Sequence, residues 1–249
     1  DYLESEFIPA STLGQIFEFD DKILRYMQLC DSGEITNLAP ATYWSHWNPL
    51  HPEFCRISNR ILYKLTETKS LIDDFANMEK YHVIYQIRHP ISNALSIMRL
   101  NWGLTISPYL EDQKFCRKYL TADLIEYSYS ILQADNLLKK HVLNWCLENL
   151  VPLRLISSRK WLVLTYEELV LHPEDAINCL VQECELENKE VMLSVISKPS
   201  RSSSSNRFSY SPSSTKEVQN MISDHHREKL ISRWRKHVTK KDEKEIMLV

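Results

Sequence analysis

The sequence predicts an α/β fold, rich in helices, in which helices flank a parallel sheet. Short runs of β-branched and aromatic residues are typical of buried strands, and longer segments with apolar residues every three or four positions are typical of helices. The two kinds of segment alternate along the chain, which favours a parallel sheet over a helical bundle. The 249 residues, 43% of them hydrophobic, suit one globular domain over residues 1–249.

Three strands and several helices are predicted in order along the chain. The strands are Arg60–Leu65, Tyr81–Ile87 and Trp161–Thr165. The helices are Asp20–Cys30, Thr121–Leu150, Asp175–Cys184, Glu190–Ile196 and one that reaches about Val238, followed by a short amphipathic segment, Asp242–Val249. Ser214 and Glu217 form a capping box that predicts the start of the helix ending near Val238.

Composition excludes several classes of protein and site. The chain has three glycines, about 1% against a usual ~7%, so neither GxGxxG nor GxxxxGK[ST] can be written within it. Its six cysteines form no CxxC pair, which favours reduced, buried thiols in a cytoplasmic compartment over disulfides or a zinc site. No apolar run reaches the roughly 18 residues of a membrane helix, so we expect no membrane segment in this stretch.

Charge is unevenly distributed. Residues 201–249 carry 11 basic and 6 acidic residues, a net +5, which leaves −8 on residues 1–200. This asymmetry favours an anion site near the C-terminus over a nucleic-acid groove. The alternative is an ordinary solvated helix face.

The second predicted strand ends in an arginine, Arg88. Pro90 then stops the strand, and a helix is expected to begin with Ser92 or Asn93 near its N-cap. Ligands of parallel sheets lie outside the carboxyl ends of the strands, where an arginine beside a helix N-terminus suits a phosphate. Ser96, eight residues after Arg88, could offer its hydroxyl to the same anion. The alternative is a surface arginine in an ordinary turn.

Arg-x-Pro after a hydrophobic strand, with serine at plus eight, resembles the 3′-phosphate signature of the sulfotransferases that use 3′-phosphoadenosine 5′-phosphosulfate (PAPS). The resemblance covers about residues 60–240 and implies a sulfotransferase-like, P-loop-type nucleotide-binding architecture. It implies that Arg88 and Ser96 hold the 3′-phosphate of PAPS.

A candidate base lies upstream. The segment Tyr63–Glu67 closes the first strand 21 residues before Arg88, and the resemblance makes its last residue, Glu67, the base that deprotonates the acceptor. The alternative for Glu67 is an ion pair with a neighbouring lysine. His46, between two tryptophans, is a second candidate base, or else a residue of the pocket wall.

Two further segments resemble the family. Val142–Trp145 is similar to its Val-x-x-Trp helix, and Tyr166, within Leu-x-x-x-Tyr-Glu-Glu-Leu, corresponds to a tyrosine that lies against adenine, although Glu168 stands where aspartate is commoner. A stacked base contributes ~1–3 kcal/mol. The alternative for Tyr166 is a core position at the sheet edge.

The Ser-rich segment near the C-terminus resembles the family's phosphate-binding loop. The residues that carry this resemblance are Lys198, Ser200, Arg201 and Arg207, and the Trp234-Arg235-Lys236 stretch resembles the one that follows the loop. Serine hydroxyls and arginine forks suit a phosphate dianion. A flexible linker is the alternative.

The resemblance also implies a 5′-phosphosulfate loop with a catalytic lysine, and Asp1–Leu29 contains none. Because the chain begins with Asp1 and not Met, we expect it to be truncated there, with the loop upstream, and its C-terminus also stops within a helical pattern. The implied reaction moves a sulfuryl group from PAPS to a hydroxyl or amine of a small-molecule or carbohydrate acceptor, with no metal. The acceptor pocket is expected to include Tyr43–Pro52 and the stretch after Trp102.

Three alternatives stay open. One is a nucleotide- or glycan-binding protein of the same fold without catalysis, and another is an α/β protein-interaction domain. A different P-loop phosphotransferase would need an upstream Gly-Lys loop and a Mg-binding carboxylate at a strand end; Asp73-Asp74, the only acidic pair to offer, is more typical of a helix start.

Overall fold

The computed structural model describes residues 69–196 and 227–249. Over these ranges the chain is mostly helical and contains a two-stranded parallel sheet, so the predicted helix-rich α/β class is confirmed at that level. The predicted strand Arg60–Leu65 and the helix Asp20–Cys30 lie outside the described residues.

The sheet joins two of the predicted strands. Strand β1 is Ile84–Ile87 and β2 is Leu162–Thr165, and they run parallel with Ile84 opposite Leu162 and Ile87 opposite Thr165. Both lie within the predicted bounds and are shorter at their N-terminal ends. Because the first residues of the two strands are paired and the last residues are paired too, both strands end side by side at the carboxyl edge of the sheet.

Eleven α-helices occupy the described ranges. They are α1 Ile72–Ala76, α2 Pro90–Arg99, α3 Ile106–Glu111, α4 Gln113–Tyr119, α5 Ala122–Gln133, α6 Leu137–Arg154, α7 Tyr166–Leu171, α8 Pro173–Glu183, α9 Lys189–Ile196, α10 Arg227–Ile231 and α11 Lys240–Ile246. Three 3-10 turns, Lys69–Leu71, Ile156–Ser158 and Arg233–His237, complete the order. The expected helix start at Asp73-Asp74 is confirmed, because both residues lie in the first turn of α1.

The prediction of one long helix over Thr121–Leu150 is wrong, because two helices, α5 and α6, occupy this stretch. Helix α5 ends at Gln133, and Ala134 is extended, with ψ 148°. Asn136 then caps α6, and its side-chain oxygen accepts a hydrogen bond from the Lys139 amide at 2.9 Å. Asparagine competes for backbone groups and so favours a cap over a helix interior.

The prediction of one helix up to about Val238 is also wrong within the described part. Helix α10 ends at Ile231, and Ser232 leaves helical geometry with φ −96° and ψ 2°. The Ser232 hydroxyl donates to the carbonyl of Glu228 at 2.8 Å, a local bond that competes with helix continuation. A 3-10 turn follows and keeps Trp234 buried, as its apolar stripe predicted.

Helix α6 is the centre of the packing. Leu143, Leu147 and Val151 recur every fourth residue and pack in one cluster with α3, α4 and α5. Val142, on a different face, packs against Ile91 of α2 and against the C-terminal segment. One helix therefore joins the chain that follows β1 to the chain near the C-terminus.

No helix in the described ranges is long and apolar enough to cross a membrane. Cys116, Cys146, Cys179 and Cys184, the cysteines that these ranges contain, are free thiols. Burial raises the pKa of the Cys146 thiol to about 11. A thiol held in its protonated form is a poor nucleophile and metal ligand.

Candidate functional site

Arg88 and Tyr166 meet at the carboxyl edge of the sheet. Each directly follows a strand, and the two strands end opposite each other at Ile87 and Thr165. The Arg88 guanidinium lies over the Tyr166 ring, 4.2 Å from its centroid. Two residues 78 positions apart, predicted from separate motifs to contact one cofactor, are therefore neighbours in space.

Helix α2 begins earlier than predicted. Its N-cap is His89, not Ser92 or Asn93, and Pro90 is the first helical residue. Proline suits that position because its φ is already helical and its missing N–H is not needed there. Ser92 is consequently buried inside the helix, where it is 7% exposed.

The residues after Tyr166 fix the edge. The Glu167 carboxylate accepts a hydrogen bond from the His89 backbone N–H at 3.1 Å and so ties α7 to the end of β1. Thr165 and Glu168 form a capping box, in which the Thr165 hydroxyl accepts from the Glu168 amide at 2.9 Å and the Glu168 carboxylate accepts from the Thr165 amide at 3.1 Å. Glu168, where the family has aspartate more often, thus caps its own helix.

A third element reaches the same edge from the C-terminal segment. The His89 ring stacks on the Trp234 ring, with centroids 4.5 Å apart and planes inclined by 20°. The Arg235 guanidinium lies 4.4 Å from the centroid of the same tryptophan and pairs with Glu243 at 3.1 Å. His89 was not predicted to be a site residue; its position between Arg88 and Pro90 was the available signal.

Two buried nitrogen atoms at this edge lack a hydrogen-bond acceptor within the described part of the chain. They are Arg88 Nε and His89 Nδ1. Burial lowers the pKa of His89, the nearby carboxylates of Glu167 and Glu243 act in the opposite direction, and Arg235 and Arg88 lower it further. The imidazole is therefore held neutral near pH 7.

Ser96 is part of α2 but stands apart from this pair. Its hydroxyl accepts a 3.4 Å hydrogen bond from the Arg99 guanidinium on the same helix. Within residues 69–196 and 227–249, no hydrogen bond joins Ser96 to Arg88 or Tyr166. The predicted partnership of Ser96 and Arg88 on one phosphate stays a prediction.

Several predicted site residues lie outside the described ranges. They are Glu67, His46, Lys198, Ser200, Arg201 and Arg207, together with the pocket segment Tyr43–Pro52. Trp102, at the start of the second predicted pocket segment, is described and is 63% exposed. It is held there by a helix-terminating motif in which the Trp102 amide donates to Ile97 O and Asn101 adopts a left-handed φ of 54°.

Metal-binding side chains do not cluster in the described part. No group of three or more histidine, cysteine, aspartate or glutamate side chains there could hold a metal ion. Arginine, histidine and tyrosine side chains meet at the carboxyl edge, and the carboxylates of Glu167 and Glu168 there accept hydrogen bonds from backbone N–H groups. The arginine, histidine and tyrosine side chains suit an anionic group or a nucleobase better than a metal cation.

The comparisons with known proteins identify no relative. The chain matches no protein-family model, and neither the curated proteins nor the solved structures contain a significant match.

Proposed function

We propose that the chain is a sulfotransferase of the PAPS-dependent type, with its nucleotide site at the carboxyl edge of the β1–β2 sheet. The single observation that carries the proposal is the contact between Arg88 and Tyr166, 4.2 Å from guanidinium to ring centroid. The resemblance assigns these residues to the 3′-phosphate and the adenine of the same nucleotide. Two independent motifs thus converge on one place.

The chemistry of the edge agrees with such a ligand. The unpaired Arg88 Nε is a charged donor, and charge-assisted hydrogen bonds to phosphate are about twice as strong as neutral ones. The Tyr166 ring is a flat aromatic surface of the kind on which bases stack. The location also follows the general rule that ligands of parallel sheets bind beyond the carboxyl ends of the strands.

In the proposed reaction an acceptor oxygen or nitrogen forms a bond to the sulfur of PAPS while the bond from sulfur to the 5′-phosphate oxygen breaks. Glu67 takes the proton of the acceptor, and adenosine 3′,5′-bisphosphate leaves. Arg88 and Tyr166 fix the nucleotide so that sulfur faces the acceptor, since transfers of this kind depend on positioning and charge stabilisation.

Nucleotide binding is tested with the 249-residue chain in a thermal-shift titration. Adenosine 3′,5′-bisphosphate at 100 times its Kd should stabilise the protein by about 2.7 kcal/mol, and 5′-AMP, which lacks the 3′-phosphate, should shift it far less. Arg88→Ala should abolish the difference between the two nucleotides. Arg117→Ala is the matched control, because Arg117 is an exposed arginine on α4 whose guanidinium bonds Gln113.

Equal responses to both nucleotides, or no response from the folded protein, would contradict the proposal. Transfer itself is tested with the protein expressed from its full coding sequence, by incubating it with PAPS and a panel of phenols and sugars and measuring the mass gain of a sulfated product. Glu67→Gln should bind the bisphosphate as the unaltered chain does and form no product. Binding without product from any acceptor would instead favour the non-catalytic nucleotide-binding protein.

A further inference from the structure

His89 carries a ring nitrogen whose environment is unusual. Its Nδ1 is buried without a hydrogen-bond partner in the described part of the chain, next to Arg88, whose Nε also has none there. Leaving a buried polar group without a partner is unfavourable, because the group loses its hydrogen bonds to water. A ligand with several acceptor oxygens would satisfy two adjacent residues at once.

Trp234 fixes the plane of this imidazole. The two rings stack at 4.5 Å, and Trp234 is itself buried among Ile91 and Ala94 of α2, Val142 of α6 and Ile246 of α11. The His89 backbone is held independently through its N–H bond to Glu167. Both the ring and the main chain of His89 are therefore held by elements other than its own.

The charges around His89 come from three directions. Arg88 is its neighbour at the end of β1, Glu167 belongs to α7, and Arg235 and Glu243 belong to the C-terminal segment. Arg235 and Glu243 pair with each other at 3.1 Å. A neutral imidazole in this balanced environment gains a proton when a dianion arrives, because the added negative charge favours the charged form.

We propose that His89, held by its stack on Trp234, is a second anion contact beside Arg88 and that it takes up a proton when the nucleotide's phosphate binds. The inference rests on the proposed function, since it takes the same ligand at the same edge. It also adds the C-terminal segment to the site, through Trp234. The expected consequence is an affinity for phosphate that depends on the protonation of one identified residue.

The test is titration calorimetry of the 249-residue chain with adenosine 3′,5′-bisphosphate at pH 6.5 in two buffers of different ionisation enthalpy. The difference between the observed enthalpies gives the net number of protons taken up, and comparison of the unaltered chain with the variant gives the part that depends on His89. His89→Asn, which keeps a good N-cap residue for α2, should bind roughly tenfold more weakly and take up fewer protons.

His237→Asn is the matched control, because His237 is an exposed histidine of the 3-10 turn that contains Trp234, whereas the ring stacked on Trp234 is that of His89. It should retain both the affinity and the proton uptake. Trp234→Phe keeps an aromatic surface and should retain most of the uptake, whereas Trp234→Leu, checked for folding by circular dichroism, should lower it.

The outcomes separate this inference from the proposed function. Bisphosphate binding with the same proton uptake in His89→Asn as in the unaltered chain overturns the inference and leaves the proposed function standing. No preference of the unaltered chain for the bisphosphate over 5′-AMP overturns both.

Discussion

Polar groups along α6 and polar groups at the carboxyl edge of the sheet are treated differently by the fold. Asn149 of α6 is 1% exposed, and its side chain accepts from the Tyr85 hydroxyl at 2.6 Å and donates to the Trp145 carbonyl at 2.6 Å. At the carboxyl edge, Arg88 Nε and His89 Nδ1 are buried with no acceptor in the described ranges. The polar side chains of the first region are paired within the fold, whereas two buried nitrogen atoms of the second region have no partner in the described residues.

Glu148 shows how complete the pairing is along α6. One carboxylate oxygen accepts from Lys69 at 2.8 Å, and the other accepts from Asn144 at 2.5 Å and from the Thr105 hydroxyl at 3.3 Å. Asn144 in turn accepts from the Thr105 amide at 2.6 Å. These bonds connect α6 to the loop before α3 and to the chain before α1, which is a structural task.

The largest effect on stability is expected for Asn149→Ala. The substitution leaves the Tyr85 hydroxyl buried without its acceptor and opens a small cavity, so the free energy of unfolding should fall by about 3 kcal/mol. Urea denaturation followed by circular dichroism measures it. A loss below about 1 kcal/mol would mean that α6 does not depend on its paired polar groups, and the contrast with the carboxyl edge would disappear.

A smaller effect is expected from His141, a buried histidine of α6 whose pKa is lowered by burial alone. The His141 imidazole binds a proton more readily in the unfolded chain than in the folded one. The stability that the neutral, buried imidazole contributes is therefore present above the ordinary histidine pKa of about 6.5 and is lost as pH falls toward the lower folded-state pKa. His141→Gln should therefore lose less stability between pH 7 and 5.5 than the unaltered chain.

Urea midpoints at several pH values provide the comparison, and the slope for one full proton is about 1.4 kcal/mol per pH unit. If the unfolding free energy has the same pH dependence in the two proteins, burial does not change the proton affinity of His141. His89, whose pKa is also lowered by desolvation, should differ from His141 by responding to the nucleotide as well as to pH.

The smallest effect on stability is expected for Arg88→Ala. Its ring contact with Tyr166 is of a kind worth about 0.5–1 kcal/mol, and removal of an unpaired buried donor offsets part of that loss. The unfolding free energy without ligand should change by about 0.5 kcal/mol at most in either direction, although ligand stabilisation is lost. A fall of more than about 2 kcal/mol would place Arg88 with the structural residues of α6.

The sequence predicted the parts of the fold that short patterns encode. Apolar runs located β1 and β2, the end of β1 located Arg88, and the family resemblance singled out Tyr166. The two residues meet because the register pairs Ile87 with Thr165. Trp234 was correctly expected on an apolar stripe.

The remaining features depend on single side chains or on distant contacts. Asn136 and Ser232 interrupt helices through one local hydrogen bond each, which apolar periodicity does not register. The stack of His89 on Trp234 joins residues far apart in the chain, and no spacing rule predicts it.

The pairing of β1 with β2 has a kinetic consequence. Ile84 and Leu162 are 78 residues apart, and the chain between them forms α2 to α6. Closing so long a loop is entropically costly until those helices have packed, so helical contacts should form first and the strand pair late during folding. The carboxyl edge is then among the last places to assemble. A nucleotide that contacts both Arg88 and Tyr166 would hold the two strand ends together and so slow the first step of unfolding.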